Sequence, residues 1–284
     1  MLLVASSFPI GQAITDALPP VVLIWLRFLL GSLLFLPILL WRDLLVKPSC
    51  EDILRYSFLS IPLVVFFWCM FEALRYTSAL NTGATYTLVP AMTAVFALWL
   101  NREAISYKRT ASLMLGIMGA LWIVFRGDKE ALLALQLNYG DWIFLLGCLF
   151  MAATSPLVKR FHRGEPLMQL TFWQLLLGSV WLLLASLLSD VSIEWQQIDQ
   201  QLILGLLYLT LFTTLLTFLI FNICTIKLGA SKVTAYTLLT PLMVLGLEWV
   251  MGGNQIEWSL LPGMAMLVIA MFVIQKDSQI QRDL

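Results

Sequence analysis

Charge is scarce in this chain. Only 12% of its 284 residues are Asp, Glu, Lys or Arg, and 60% are hydrophobic; an average soluble domain carries about 25% charged residues. A soluble fold of this length could not hide so much apolar surface, so lipid must be the solvent for much of it. Lys and Arg number 17, as do Asp and Glu, which excludes a globally basic nucleic-acid binder. Histidine occurs once, as His162 within Lys159-Arg160-Phe161-His162-Arg163. Neither a metal site nor a serine triad can be completed around it. The four cysteines, Cys50, Cys69, Cys148 and Cys224, include no C-x-x-C pair and read as small buried hydrophobes, not a disulfide frame or zinc site. No Walker A pattern is present, so ATP hydrolysis by this chain is not expected, and nothing calls for a cofactor.

What the chain has instead is long apolar runs: about 1–15, 20–41, 54–76, 80–101, 107–125, 140–159, 166–188, 201–226, 230–251 and 258–275. Most approach the roughly 20 residues of a spanning helix. They exceed the ~9–11 residues of a barrel strand and lack its alternation. Breaker signals separate them, among them Asp16 to Pro20, Lys47-Pro48-Ser49, Arg126-Gly127-Asp128, Gly164-Glu165-Pro166 and Gly252-Gly253-Asn254. The predicted fold class is an all-α integral membrane protein with ten transmembrane helices. The short first run could be taken for a signal peptide, but it has no basic n-region and Gly11-Gln12-Ala13 is a poor cleavage site.

The two halves repeat. At an offset of +147, Ala5 falls on Ala152, Pro9 on Pro156, Pro19 on Pro166, and Leu29-Leu30-Gly31-Ser32 on Leu176-Leu177-Gly178-Ser179. After the second loop of each half the offset becomes +151, where Ala79 meets Ala230, Ala84 meets Ala235, Leu88 meets Leu239 and Pro90 meets Pro241. The sixth run begins about seven residues earlier than the first on this alignment, so the first helix is short or begins upstream of Met1. The domains are residues 1–125 (spans one to five), a connecting loop 126–139, and residues 140–284 (spans six to ten).

Five spans is an odd number, so the second half must enter the membrane from the opposite side. With both termini cytoplasmic, thirteen basic residues fall inside and only Arg75, Arg126 and Lys129 outside, as the positive-inside rule requires. The loop between spans seven and eight carries Asp190, Glu194 and Asp199 without Lys or Arg and lies outside. Two five-helix repeats of inverted topology are the architecture of secondary transporters, whose substrate site lies near the midplane between repeats.

Ala73-Leu74-Arg75-Tyr76-Thr77-Ser78-Ala79, followed by Pro90 and Glu103, together with Ser6-Ser7-Phe8 and Leu26-Arg27, resembles the EamA-like branch of the drug/metabolite transporter superfamily. The resemblance covers nearly the whole chain. It implies a ten-helix carrier of small metabolites in the bacterial inner membrane, often an exporter of amino acids or amphipathic compounds. The pattern departs at one point: Glu103 follows Pro90 by thirteen residues, but Asn254 stands at that distance after Pro241.

A charge inside a span costs at least ~2.5–3.5 kcal/mol on insertion scales, so Arg27, Glu72 and Glu248 stand out. Counted from the outer ends at 1.5 Å per residue, Arg27 lies roughly 10 Å in and the two glutamates about 5 Å. They are expected to cluster near the outer mouth, as a gate, as a zwitterion site or as a static ion pair. Burial would also let Glu72 or Glu248 serve as a coupling proton site. The further cavity and gating candidates are Trp68, Tyr86, Trp173, Gln174, Asn222 and Tyr236. Trp68, Glu72 and Arg75 share one helix face, Tyr86, Pro90 and Thr93 another, and Thr214, Phe218 and Asn222 a third. Pro90 and Pro241, at equivalent positions, are candidate hinges because each frees a backbone carbonyl. Trp25, Trp122, Trp142, Trp195 and Trp258 read as interfacial aromatics. Ser112, Gly116 and Ala120 form a small-residue seam for packing or homodimerisation. The expected partners are a small-molecule substrate and the bilayer. A polytopic membrane enzyme and a non-transporting receptor or scaffold are the rival functions; the first would want clustered catalytic groups at a membrane face.

Overall fold

A computed structural model describes residues 1–102, 106–128, 130, 137–189, 198–250 and 258–280, with the backbone alone at residues 109, 231 and 275–280. Glu103, Lys129, Asp190, Glu194, Trp195, Asn254 and Arg282 lie outside the described residues, as do the side chains of Arg109 and Lys276. Among the described residues every regular element is helical. Seven helices are long and apolar enough to cross a membrane, and Leu2–Ile14, Thr110–Val124 and Trp258–Ile274 are apolar but shorter. This is a multi-pass membrane protein.

The helices are α1 (Leu2–Ile14), α2 (Pro20–Trp41), α3 (Cys50–Ala73), α4 (Ala79–Asn101), α5 (Tyr107–Val124), α6 (Tyr139–Phe161), α7 (Leu167–Leu188) and α8 (Gln200–Leu228). They continue with α9, formed by Ala230–Ala235, Tyr236–Leu239 and Thr240–Val250 in succession, and α10 (Leu261–Ile280). Their starts follow local chemistry. Ser49 and Asp52 form a reciprocal capping box at α3, and Asn138 and Asp141 form another at α6; each satisfies two of the donors a helix start leaves open. Pro20 opens α2 at a position where a missing N–H costs nothing. Ser78 and Asp199 cap α4 and α8 with side-chain oxygens.

Three helices are interrupted. In α4 a 3-10 turn, Tyr86–Leu88, precedes Pro90, and in α9 the 3-10 turn Tyr236–Leu239 precedes Pro241. Thr87 donates to the Ala84 carbonyl at 2.6 Å and Thr237 to the Thr234 carbonyl at 2.7 Å, so both turns are braced alike. The third interruption is a π-helical stretch, Leu209–Leu216, within α8.

Helix α3 packs on α6 and α7, α2 on α7, the later part of α4 on α6, α5 on α10, and α1 on α8 and α9. Glycines set two of these crossings. A Cβ on Gly119 would sit 2.7 Å from the Gly263 carbonyl oxygen, and one on Gly263 would sit 2.8 Å from that of Gly119, so α5 and α10 touch backbone to backbone. At the α2–α7 crossing a Cβ on Gly178 would meet the Phe28 ring at 2.8 Å. The seam of Ser112, Gly116 and Ala120 is buried within the chain, with Gly116 against Leu238 and Ala270. Leu34, Trp99, Leu184 and Leu187 point outward, as side chains solvated by lipid do. Trp142 and Trp258 are exposed near helix starts, while Trp122 donates to the Ser259 carbonyl at 2.7 Å and so ties α5 to the start of α10.

Candidate functional site

Arg27 is completely buried. Its Nε donates to Thr214 Oγ1 at 2.5 Å and its Nη2 to Thr213 Oγ1 at 2.7 Å. Both hydroxyls spend their own hydrogens on one carbonyl, that of Leu209, at 3.0 Å and 2.8 Å. Each therefore presents only lone pairs to the guanidinium. The π-helical stretch makes this possible: its wider turn brings consecutive threonines onto one face, and such stretches are frequent at functional sites. The guanidinium carbon also lies 4.4 Å from the Phe67 ring centroid and 6.0 Å from that of Phe71, within cation–π range. Nη1 has no hydrogen-bond partner. Among the described residues no carboxylate lies within 4.0 Å of this side chain.

Arg27 lines a narrow central cavity of about 40 Å³. Helices α1, α2, α3, α4, α6, α7 and α8 contribute to its wall. Four of the predicted residues line it: Arg27, Tyr86, Gln174 and Asn222. Tyr86 belongs to an aromatic cluster with Phe8 at 5.6 Å and Phe66 at 5.7 Å between centroids. Asn222 donates from Nδ2 to Thr171 Oγ1 at 2.9 Å and to Gln174 Oε1 at 3.4 Å, and Gln174 donates to the Leu59 carbonyl at 3.4 Å. No Asp, Glu or Lys is among the lining residues.

The other candidates lie elsewhere. The expected cluster of Arg27, Glu72 and Glu248 is not formed, because the arginine reaches inward to α8 while both glutamates stay near helix ends. Glu72 pairs with Arg75 at 3.7 Å, and Arg75 also approaches Asp16 at 3.6 Å. Glu248 is half-buried on α9, within electrostatic reach of Arg126. Trp68 faces outward, since α3 turns Leu63, Phe66 and Phe67 to the cavity instead. Trp173 stacks on Tyr56 with centroids 6.4 Å apart, off the cavity wall. Tyr236 lines a second cavity of about 350 Å³ between the start of α1, the end of α8 and the start of α9. That space shares Val4, Thr217 and Phe221 with the central one. Asp16, Arg75 and Arg126 line a polar vestibule of about 470 Å³ at the opposite end of α1. Pro90 and Pro241 follow the two 3-10 turns.

The family model of the EamA-like transporters matches residues 1–125 and 138–275. The chain belongs to the EamA-like transporter family. Two Bacillus subtilis relatives are named as uncharacterized transporters. YvbV is 26% identical over 284 aligned positions, 97% of this chain and 89% of the relative. YyaM is 24% identical over 228 positions, 80% and 75%. A chloroplastic WAT1-related protein of Arabidopsis thaliana is 22% identical over 72% of this chain and 50% of its own. A solved structure titled "Crystal structure of protein" superposes with a TM-score of 0.77 at 18% identity, covering 98% of this chain and 94% of that one; it shares the fold.

In this EamA-like protein, sequence reasoning missed Thr213, Thr217, Phe67 and Ser155 among the cavity residues. The threonine-rich run from Thr210 to Thr217 was the available signal. Its weight depends on a π-helical register that hydropathy does not reveal.

Proposed function

We propose that this chain is a secondary-active or facilitative carrier, exporting small metabolites such as amino acids or amphipathic compounds by alternating access. The observation that carries the reading is the make-up of the cavity wall. Positions equivalent at the +147 offset line it in pairs: Val4 with Met151, Ser7 with Thr154, Phe8 with Ser155, and Arg27 with Gln174. At +151, Leu63, Phe66 and Phe67 correspond to Thr214, Thr217 and Phe218, and all but Thr214, which holds Arg27, line the same space. A cavity built twice over from two halves is the expected arrangement for inverted repeats flanking a midplane site. The shared packing supports it as well. Helices α2 and α5 pack on their own counterparts, α7 and α10, and the α3–α6 contact is matched by α8–α1.

In this reading α1, α5 and α10 complete ten spans in two inverted sets of five. Arg55 meets Glu165 and Arg160 meets the Leu100 carbonyl, so the basic ends of α3, α4 and α6 lie together. This agrees with a cytoplasmic face there, and with both termini inside in a bacterial inner membrane. The paired breaks at Pro90 and Pro241 are the natural hinges.

Purified protein in liposomes, given a panel of amino acids, carboxylic acids and cationic drugs, should pass at least one compound down its gradient, and should exchange it for an unlabelled copy. Folded protein that moves none of the panel would overturn the carrier reading and favour a receptor or scaffold.

A further inference from the structure

We infer that the central cavity binds the carboxylate of a net-anionic small molecule with an apolar or aromatic body, and that Arg27 is its anchor. The inference rests on the carrier reading for its consequence in transport, but the site stands on the geometry of Arg27 alone.

A guanidinium has five donor hydrogens and cannot give up its charge at ordinary pH. Two threonine oxygens take donors from Nε and Nη2, and Phe67 covers one face. These partners are neutral. They fix the direction of the group without balancing its charge. Arg27 is among the residues that line the cavity, and its Nη1 is buried without a partner. A buried donor on a charged group is costly to leave empty, so the position asks for an anion supplied from outside the chain. The planar fork matches a carboxylate well.

The rest of the wall defines the rest of the ligand. Phe8, Phe66, Phe218 and Phe221 line the space with Tyr86, a surface suited to an apolar or aromatic body. A zwitterion would also need a partner for its ammonium group, and the wall carries no Asp or Glu. The equivalent position to Arg27 in the second half is Gln174, a neutral amide already bonded to Asn222 and the Leu59 carbonyl. One half of the site is charged and the other is not. A cationic drug would meet an uncompensated positive charge.

The test compares four probes of one shape: phenylacetate, phenylacetamide, phenethylamine and phenylalanine. Binding to the purified protein in nanodiscs is measured by calorimetry, and flux of each in liposomes. Phenylacetate should bind at least about tenfold more tightly than the other three. Arg27→Gln should abolish that preference, while Arg27→Lys should retain part of it. Equal or tighter binding of the amide, the amine or phenylalanine by the wild-type protein would overturn the inference. That comparison needs no variant, so a misfolded Arg27→Gln does not spoil it. Flux of the amine or phenylalanine but not of phenylacetate would leave the carrier reading standing and remove this one. Selective binding of phenylacetate with no flux of any probe would support the site, and the carrier reading would then be decided by the wider panel.

Discussion

Arg27 shows how a membrane-buried charge can be positioned by neutral groups. Its two threonine acceptors are themselves oriented by a single carbonyl, so the arrangement depends on hydroxyls whose hydrogens are already committed. Thr214→Val keeps the shape of the side chain and removes the acceptor of Nε. The variant should lose about 1–3 kcal/mol of stability, read as a lower melting temperature in detergent, and Thr214→Ser should stay near wild type. From the sequence, Arg27 was identifiable because a lone arginine in an apolar run is conspicuous. Its surroundings were not. Pairing by opposite charge pointed to Glu72 and Glu248, and the arginine instead reaches inward to hydroxyls on α8, nearly two hundred residues away in sequence. Trp68 and Trp173 failed for a related reason: residue type suggested a cavity role, while the rotation of α3 and α7 decided which side chains face it.

At the scale of elements, the helices were largely legible. Apolar runs and breakers located them to within a few residues, since capping residues at Ser49, Asn138 and Asp199 end one environment and begin another. The 3-10 turns before Pro90 and Pro241 were foreshadowed by the prolines. The π-helical stretch was not, because a change from i+4 to i+5 bonding leaves no trace in hydropathy. Helix contacts set by glycine give a clean comparison. Gly119→Ala places a methyl against the Gly263 carbonyl and should cost about 1–3 kcal/mol through forced separation of α5 and α10. Gly246→Ala, on α9, meets nothing within 4 Å and should be neutral or stabilise by roughly 0.5–1 kcal/mol through helix propensity. Equal melting temperatures for the two variants would refute this account of the α5–α10 contact.

Across the whole molecule, α3 is fastened at both ends. At its start, the nearly buried Arg55 meets Glu165 at 3.2 Å and Asp52 at 3.1 Å, and donates to the Phe161 carbonyl at 2.8 Å. Near its end, Thr15 donates to the Phe71 carbonyl at 2.7 Å, and just beyond it Thr77 donates to Asp141 at 2.8 Å. Its counterpart α8 is held less closely, with cavities beside α1 toward both ends of that contact. The network at the start of α3 contains one exposed pair, Arg163 with Glu51 at 2.5 Å, beside the buried one. Their contributions should differ. Glu165→Gln should lower stability by about 1–3 kcal/mol, because Arg55 then loses a charged partner in a site with little water. Glu51→Gln should leave the melting temperature unchanged, since solvent and salt screen that pair. The duplication proposed for this architecture is read from the sequence as two offsets. The difference in tightness between α3 and α8 was not, because it arises from side-chain fit between elements distant along the chain.

The lone positive charge in the cavity also has an electrical consequence. In the carrier and anion site proposed above, an empty site carries one charge and a site holding a monoanion carries none, so a membrane voltage acts on the returning empty site and not on the loaded one. Each charge that crosses the full field exchanges ~2.3 kcal/mol per 100 mV. An interior-negative membrane draws the empty site back toward the inside. On that proposal, the voltage itself powers outward movement of an organic anion, without a second ion travelling alongside.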